Sequence, residues 1–201
     1  MKEYVTKSGL LDRERKLVLT EDYLEWENKD LKGNEFTRLN KSDYLDFRHG
    51  MDWIVWYKFT VGREYSITFK DTKNRELMIR FHSYFGSNNE NHQKYSDIIN
   101  DVWSLYHSDV VNNLLEKFYN IGEVEVQGLK LKSEGIELRE GKGVVPWNKM
   151  ATKEYYRYFA IYHQDIPAIH SRVSYNEYGT ETLWSAIRSI LKDQGDNVLT
   201  T

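Results

Sequence analysis

Asp12 followed by Glu27-x-Lys29 is the nearest this chain comes to a reactive constellation, the carboxylate and Glu-x-Lys set of metal-dependent nuclease chemistry. Glu25 and Glu27 alternate about Trp26, which on a strand sends both to one outward face, and a pattern this short recurs by chance in any charged chain. Histidines are the next candidates. His49, His82, His92, His107, His163 and His170 stand singly, without the His-x-His or HExxH spacing that sets two ligands on one face. His163 and His170 flank the Gln164-Asp165 turn and approach each other across a hairpin, but no third ligand accompanies them. The chain has no cysteine, so it has neither a disulfide framework nor a thiolate for metal or nucleophilic work. No GxSxG, phosphate-cradling glycine loop or dinucleotide fingerprint occurs. The expectation is a non-catalytic protein without metal or cofactor.

Aromatic side chains carry the stronger signal. Trp53, Trp56, Tyr57 and Phe59 fall within one apolar stretch, and a strand there splits them, with Trp53, Tyr57 and Phe59 on one face and Trp56 with Lys58 on the other. Large rings on both faces need two surfaces to bury against, one the barrel core and the other the linking helix, the second domain or a partner protein. Trp53, Trp56 and Tyr57 are therefore the candidate partner or interdomain surface. Tyr155, Tyr156, Tyr158 and Tyr162 invite the same reading in the second half. Stacking on nucleic acid would need interleaved basic residues, which are missing, and the net charge of −3 draws the chain to neither phosphate backbones nor an anionic bilayer.

The elements that hold these residues follow from periodicity. Period-two alternation predicts strands at Arg15–Thr20, Tyr23–Asn28, Glu35–Leu39, Tyr44–Arg48, Trp53–Val61, Glu64–Lys70 and Arg75–His82. Breaks are expected at Glu21-Asp22, Asp30–Asn34, His49-Gly50, Gly62-Arg63 and Asp71–Asn74. After a polar loop at Ser83–His92, Tyr95, Ile98, Ile99, Val102, Trp103 and Tyr106 mark a helical face that resumes at Val110 and stops at Gly122. The second half repeats the pattern with five strand-like stretches: Glu123–Ser133, Ile136–Glu140, Val144–Lys149, Tyr155–His163 and Ile166–Tyr175. Thr180 is a plausible N-cap, and Leu183, Trp184, Ile187, Ile190 and Leu191 are the stripe of a last helix. The fold class is α+β, mostly antiparallel β. The hairpin Leu17–Asn28 reads against Leu129–Glu140, and each copy ends in a helix bearing one tryptophan, Trp103 or Trp184.

With its opening hairpins, the Val144–Lys149 stretch and the two tryptophan-bearing helices, the chain resembles the pleckstrin-homology-like superfold, present as two copies. The resemblance implies two PH-like barrels, each closed by a C-terminal amphipathic helix: residues 1–119, a second and smaller domain at 121–195, and a frayed tail at 196–201. It also implies a place to look for anionic headgroups, a basic residue on the first strand and Lys/Arg-x-Arg on the second. In the first copy the matching region, Thr20–Glu25, is acidic; the second offers Lys130, Lys132, Arg139 and Lys142, with Glu137 where a further cation is expected. The expected function is a non-catalytic binding or scaffolding protein whose ligand is a protein partner or a second copy of itself. The alternatives are a peripheral membrane adaptor using that basic strand, and an enzyme. At 201 residues, with no apolar run approaching the ~20 residues of a membrane span and no signal-peptide core at the N-terminus, a cytoplasmic protein is expected.

Overall fold

The computed structural model describes residues 1–9, 11–29, 35–84, 88–155 and 157–193. The chain divides into two units, Met1–Ser108 and Asp109–Thr201, and the architecture is α+β with mostly antiparallel strands. The turn expected at 30–34 and the tail at 196–201 lie outside the described residues.

In the first unit, β1 (Lys2–Lys7), β2 (Glu14–Leu19), β3 (Tyr23–Glu27) and β4 (Phe36–Asn40) form a four-stranded meander. Alternation decides which face is buried. Leu17 lies opposite Trp26 and Leu19 opposite Leu24, and all four side chains are buried. β1 was not expected, because its lysines and glutamate mask the alternation; it pairs only with β2, and charge is what an edge strand tolerates. A 3₁₀ turn at Lys41–Asp43 separates this sheet from a second meander of β5 (Tyr44–Trp56), β6 (Phe59–Asp71) and β7 (Glu76–Tyr84). The breaks expected at His49-Gly50 and Gly62-Arg63 are interior to these strands. Gly50 pairs with Ser66, and Gly62 pairs with Tyr84. Gly62 marks a close approach, since a Cβ there would stand 2.2 Å from the Ser83 carbonyl oxygen.

α1 (Asn88–Val102) buries Tyr95, Ile98 and Val102. Helical bonding continues through a π turn, Trp103–His107, into α2 (Ser108–Ile121). The wider turn buries consecutive residues, Tyr106 and His107. The Tyr106 hydroxyl accepts from the Thr20 N–H at 3.1 Å and lies 2.7 Å from the Tyr23 carbonyl oxygen, tying this turn to the β2–β3 connection. The His107 Nδ1 is 3.1 Å from the Tyr44 hydroxyl. Trp103, expected as the buried plug, is only half-buried beside His107, and the fully buried indole of this unit is Trp26.

The second unit repeats the order. α2 ends where Gly122 takes a φ of +83° and donates its N–H to the Phe118 carbonyl at 2.7 Å, a left-handed helix stop. β8 (Glu123–Val126), β9 (Leu129–Lys132), β10 (Gly135–Glu137) and β11 (Val144–Pro146) form a four-stranded meander. A 3₁₀ turn at Trp147–Lys149 leads to the three-stranded meander β12 (Met150–Glu154), β13 (Tyr158–His163) and β14 (His170–Ser174), and α3 (Thr180–Asp193) follows. Where one strand was expected over Glu123–Ser133 there are two, because Gln127 and Gly128 both take positive φ (54° and 70°) in a two-residue hairpin turn. Both sheets and both helices meet in one core that includes Phe118, Leu131, Val145, Phe159, Ile187 and Leu191. Each such side chain is worth about 1.5–3 kcal/mol of transfer free energy. Trp184 packs half-buried on Phe159, with ring centroids 4.8 Å apart, while Trp147 is the buried indole.

Each unit therefore runs as four strands, a 3₁₀ turn, three strands and a helix, the second with a further 3₁₀ turn, Arg139–Gly141, between β10 and β11. Among the described residues no sheet closes into a barrel; each unit has two separately hydrogen-bonded sheets instead.

Candidate functional site

The expected strand Trp53–Val61 is the end of a β-hairpin. Trp53 pairs with Arg63 and Ile54 with Gly62; a bulge then shifts the register so that Val55 faces Thr60 and Trp56 faces Phe59. Tyr57 and Lys58 form the loop. This turn has no Asn-Gly or Gly signature, so period-two reading ran straight through it. The partner strand β7 ends at Tyr84, opposite Gly62, and among the described residues no third strand lies beside the hairpin beyond that row.

The consequence is a set of exposed apolar side chains. Trp53 is 44%, Val55 60%, Trp56 72%, Tyr57 91% and Phe59 75% exposed. Single exposed rings are ordinary, but here both faces and the turn of one hairpin tip carry exposed apolar side chains. Arg63 stands over the Trp53 ring, 4.8 Å from its centroid, and holds that indole at the base of the tip. Tyr57 adopts a φ of 57°, a left-handed conformation that costs a residue with a side chain about 1–2 kcal/mol. A tyrosine held there, where glycine or asparagine is easier, is the kind of local strain found at contact sites. Alternation along β5 keeps Trp53 with Val55 on one face of the hairpin and Trp56 with its cross-strand partner Phe59 on the other, while Tyr57 stands in the turn and not on the strand. Val55 and Arg63 belong to the same tip and were missed.

The basic residues of the second unit are placed differently. Lys130 and Lys132 alternate on β9, Arg139 opens the 3₁₀ turn Arg139–Gly141, and Lys142 follows it. Lys132 is neutralised by Glu137 at 2.7 Å and Glu123 at 3.7 Å; the hydrogen bond to Glu137 raises the ammonium's pKa and lowers the carboxylate's. Arg139 donates through Nε to the Gln127 carbonyl at 2.6 Å and through Nη2 to Gln127 Oε1 at 3.0 Å, and it pairs with Glu177 at 3.3 Å. Gln127 Nε2 in turn donates to Thr180 Oγ1 at 2.7 Å. This latch joins the β8–β9 turn to the start of α3, and its guanidinium is engaged. Two of the four cations expected to converge on phosphates are held by carboxylates and amides of the fold.

Of the first unit's candidate carboxylates, Glu27 is likewise spent on structure. Glu27 accepts from Arg13 Nη1 at 2.7 Å and from the Lys16 N–H at 2.9 Å, and the Arg13 bond leads the causes that lower its pKa. Among the described residues no three His, Asp or Glu side chains are grouped to hold a metal ion. His163 and His170 do not converge: the His163 Nδ1 accepts from the Asp165 N–H at 3.1 Å, while the His170 Nδ1 faces the Pro167 and Ala168 carbonyls at 3.2 Å. No helix among the described residues is long and apolar enough to cross a membrane. Compared with protein-family models, curated proteins and solved structures, the chain matches none.

Proposed function

We propose that the protein is a non-catalytic binding module of two tandem PH-like domains, and that the β5–β6 tip is its contact with a protein partner. The repeated order of four strands, a 3₁₀ turn, three strands and a helix supports the PH-like reading of each unit. The single observation that carries the function is the exposure of Trp56, Tyr57 and Phe59 around a two-residue turn.

The occupant of this tip is a protein, in the form of an apolar groove rimmed by acidic groups. Trp, Tyr and Arg dominate the energetics of protein interfaces, and the tip combines Trp53, Trp56, Tyr57 and Arg63. Lys58, at the apex, has no carboxylate partner among the described residues and is free to meet that rim. A bilayer fits less well. The net charge of −3 gives an anionic surface no general pull on the chain.

A photo-crosslinking residue in place of Tyr57 tests this, with Lys73 in the β6–β7 turn as the control position. The expected result is a discrete protein adduct from position 57 that disappears in the Trp56→Ser/Phe59→Ser background and is absent from position 73. Adducts confined to lipid, or co-sedimentation with vesicles that the double variant abolishes, would overturn the protein reading in favour of a membrane contact. A dimer in light scattering with a self-adduct at position 57 identifies the partner as a second copy.

A further inference from the structure

The second unit's three-stranded meander directs Phe159, Ile161 and Val173 into the core. Tyr158, Ala160 and Tyr162 alternate with them and line a cavity of about 340 Å³ on the other side of the sheet, together with Lys153, Tyr155 and Arg172. Register explains the arrangement. Lys153 on β12 and Arg172 on β14 are both paired with Ala160 on β13. Adjacent strands lie ~4.8 Å apart, so two cations rise from backbones roughly 10 Å apart with only a methyl group between them. Both side chains are long enough to converge above it.

These cations are steadied by rings and not by acids. Lys153 Nζ lies 5.6 Å from the Tyr155 ring centroid and the Arg172 guanidinium 5.4 Å from that of Tyr158. The two rings are stacked on each other, 4.7 Å apart with 21° between their planes. Among the described residues no acidic side chain lines the cavity, and neither cation pairs with a carboxylate. Elsewhere the fold neutralises its cations at short range: Lys132 on Glu137, Lys149 on Asp165, Arg38 on Glu25. A cation over a ring is held in place without losing its charge, so two such groups facing one floor make a ready anion site. His170 adds a third polar group at the rim. Its Nδ1 lies 3.2 Å from the Pro167 and Ala168 carbonyls; as the donor there it leaves Nε2 as the ring's free nitrogen.

The stacked tyrosines supply what a bare anion does not need, a flat apolar wall. The volume is at the small end of the ~300–1,000 Å³ typical of small-molecule sites. We propose that this cavity binds a phosphate monoester carried on a flat ring, with the phosphate between Lys153 and Arg172 above Ala160 and the ring against Tyr158 and Tyr155. A free nucleotide and an aryl phosphate share this chemistry. The site uses no residue of the aromatic hairpin, so it stands or falls independently of the partner reading above.

Isothermal titration of the full chain with inorganic phosphate, phenyl phosphate, a nucleoside 5′-monophosphate and phenol tests the assignment. Phenyl phosphate is expected to bind about tenfold or more tighter than inorganic phosphate, the contribution of one stacked ring, and phenol not to saturate. Tighter binding of the nucleotide than of phenyl phosphate assigns the source as a nucleotide, and the reverse order assigns an aryl phosphate. Arg172→Glu and Lys153→Glu each change an exposed side chain, leave the thermal transition in place, and are expected to weaken phenyl phosphate by about 10- to 100-fold. Equal affinity for phosphate with and without the ring, or unchanged binding in Arg172→Glu, overturns the proposal.

Discussion

Replacing Gly135 by alanine adds one methyl group at the tightest point of the second unit. A Cβ at Gly135 would stand 2.2 Å from the Val145 carbonyl oxygen and 2.8 Å from both Val145 C and Pro146 Cα, all backbone atoms that no rotamer change can move. Ordinary contact begins near 3.4 Å, so β10 and β11 must part by about 1 Å. β10 has nowhere to retreat, because its other edge is paired with β9 through Gly135 and Lys132. Overpacking of this kind costs about 1–3 kcal/mol, and loss of the short β10–β11 ladder adds about 0.5–1.5 kcal/mol per hydrogen bond. The total is about 3–5 kcal/mol. Gly141→Ala is the matched control: its φ is +68°, but nothing lies within 4 Å of the added carbon, so its cost is about 1 kcal/mol of backbone strain. At about 2–4 °C per kcal/mol for a chain of this size, calorimetry should show a shift of roughly 6–20 °C for Gly135→Ala against 2–4 °C for Gly141→Ala. Trp147 provides a local reading. It follows Pro146, and its indole Nε1 donates to the Lys132 carbonyl at 2.8 Å, so displacing β11 frees that bond and shifts the indole emission. Equal transitions for the two alanine variants with unchanged Trp147 emission would refute the steric argument.

Two further outcomes follow from groups already described. Tyr106, Tyr119 and Tyr175 have their hydroxyl pKa pushed up from 10.0 to about 12, burial being the first cause in each case. The folded chain keeps these protons where the unfolded chain loses them, so stability is complete below pH ~10 and falls as pH rises toward 12; urea midpoints near pH 9 and 11 should show the drop, and Tyr106→Phe should shrink it. Arg139→Ala removes the guanidinium bonds to Gln127 and Glu177 and should cost about 2–3 kcal/mol in chemical denaturation while leaving sedimentation with anionic vesicles unchanged; a loss of vesicle binding at unaltered stability would restore the headgroup reading of the second unit.

What the sequence disclosed follows the reach of its signals. Alternation of Leu17, Leu19, Leu24 and Trp26, and the stripe from Leu183 to Leu191, were visible because one buried face imposes a period. Turns were misplaced where glycine carried a different meaning. Gly50 and Gly62 punctuate the sequence but sit inside strands, Gly62 because a neighbouring backbone leaves no room for a Cβ. The reverse error occurred at Tyr57, where a true turn is made without glycine. Tyr158 and Tyr162 could be paired on one face from spacing alone. Lys153 and Arg172 could not be joined to them, because cross-strand register is a tertiary fact with no local trace. For the same reason Lys132 and Arg139 looked available until their partners Glu137, Gln127 and Glu177 came into view.

The two units use one plan to opposite ends, and strand length is what separates them. β5 and β6 are 13 residues each, about 43 Å at 3.3 Å per residue, whereas β7 has 9 and its pairing stops at Gly62. The surplus cannot be covered by β7, so rings that would otherwise be buried are carried into solvent at the tip. The corresponding strands of the second unit, β12, β13 and β14, have 5, 6 and 5 residues. No surplus projects there, and the unpaired resource is the outward face of the sheet, where an alanine between two tyrosines leaves a hollow flanked by two cations. A projecting hydrophobic tip suits insertion into another macromolecule's groove, and a lined hollow suits a small charged ligand. Replacing residues 55–61 by Asn-Gly, which keeps Ile54 opposite Gly62, should therefore abolish co-purification of the crosslinked partner while leaving phenyl phosphate titration of the second unit unchanged.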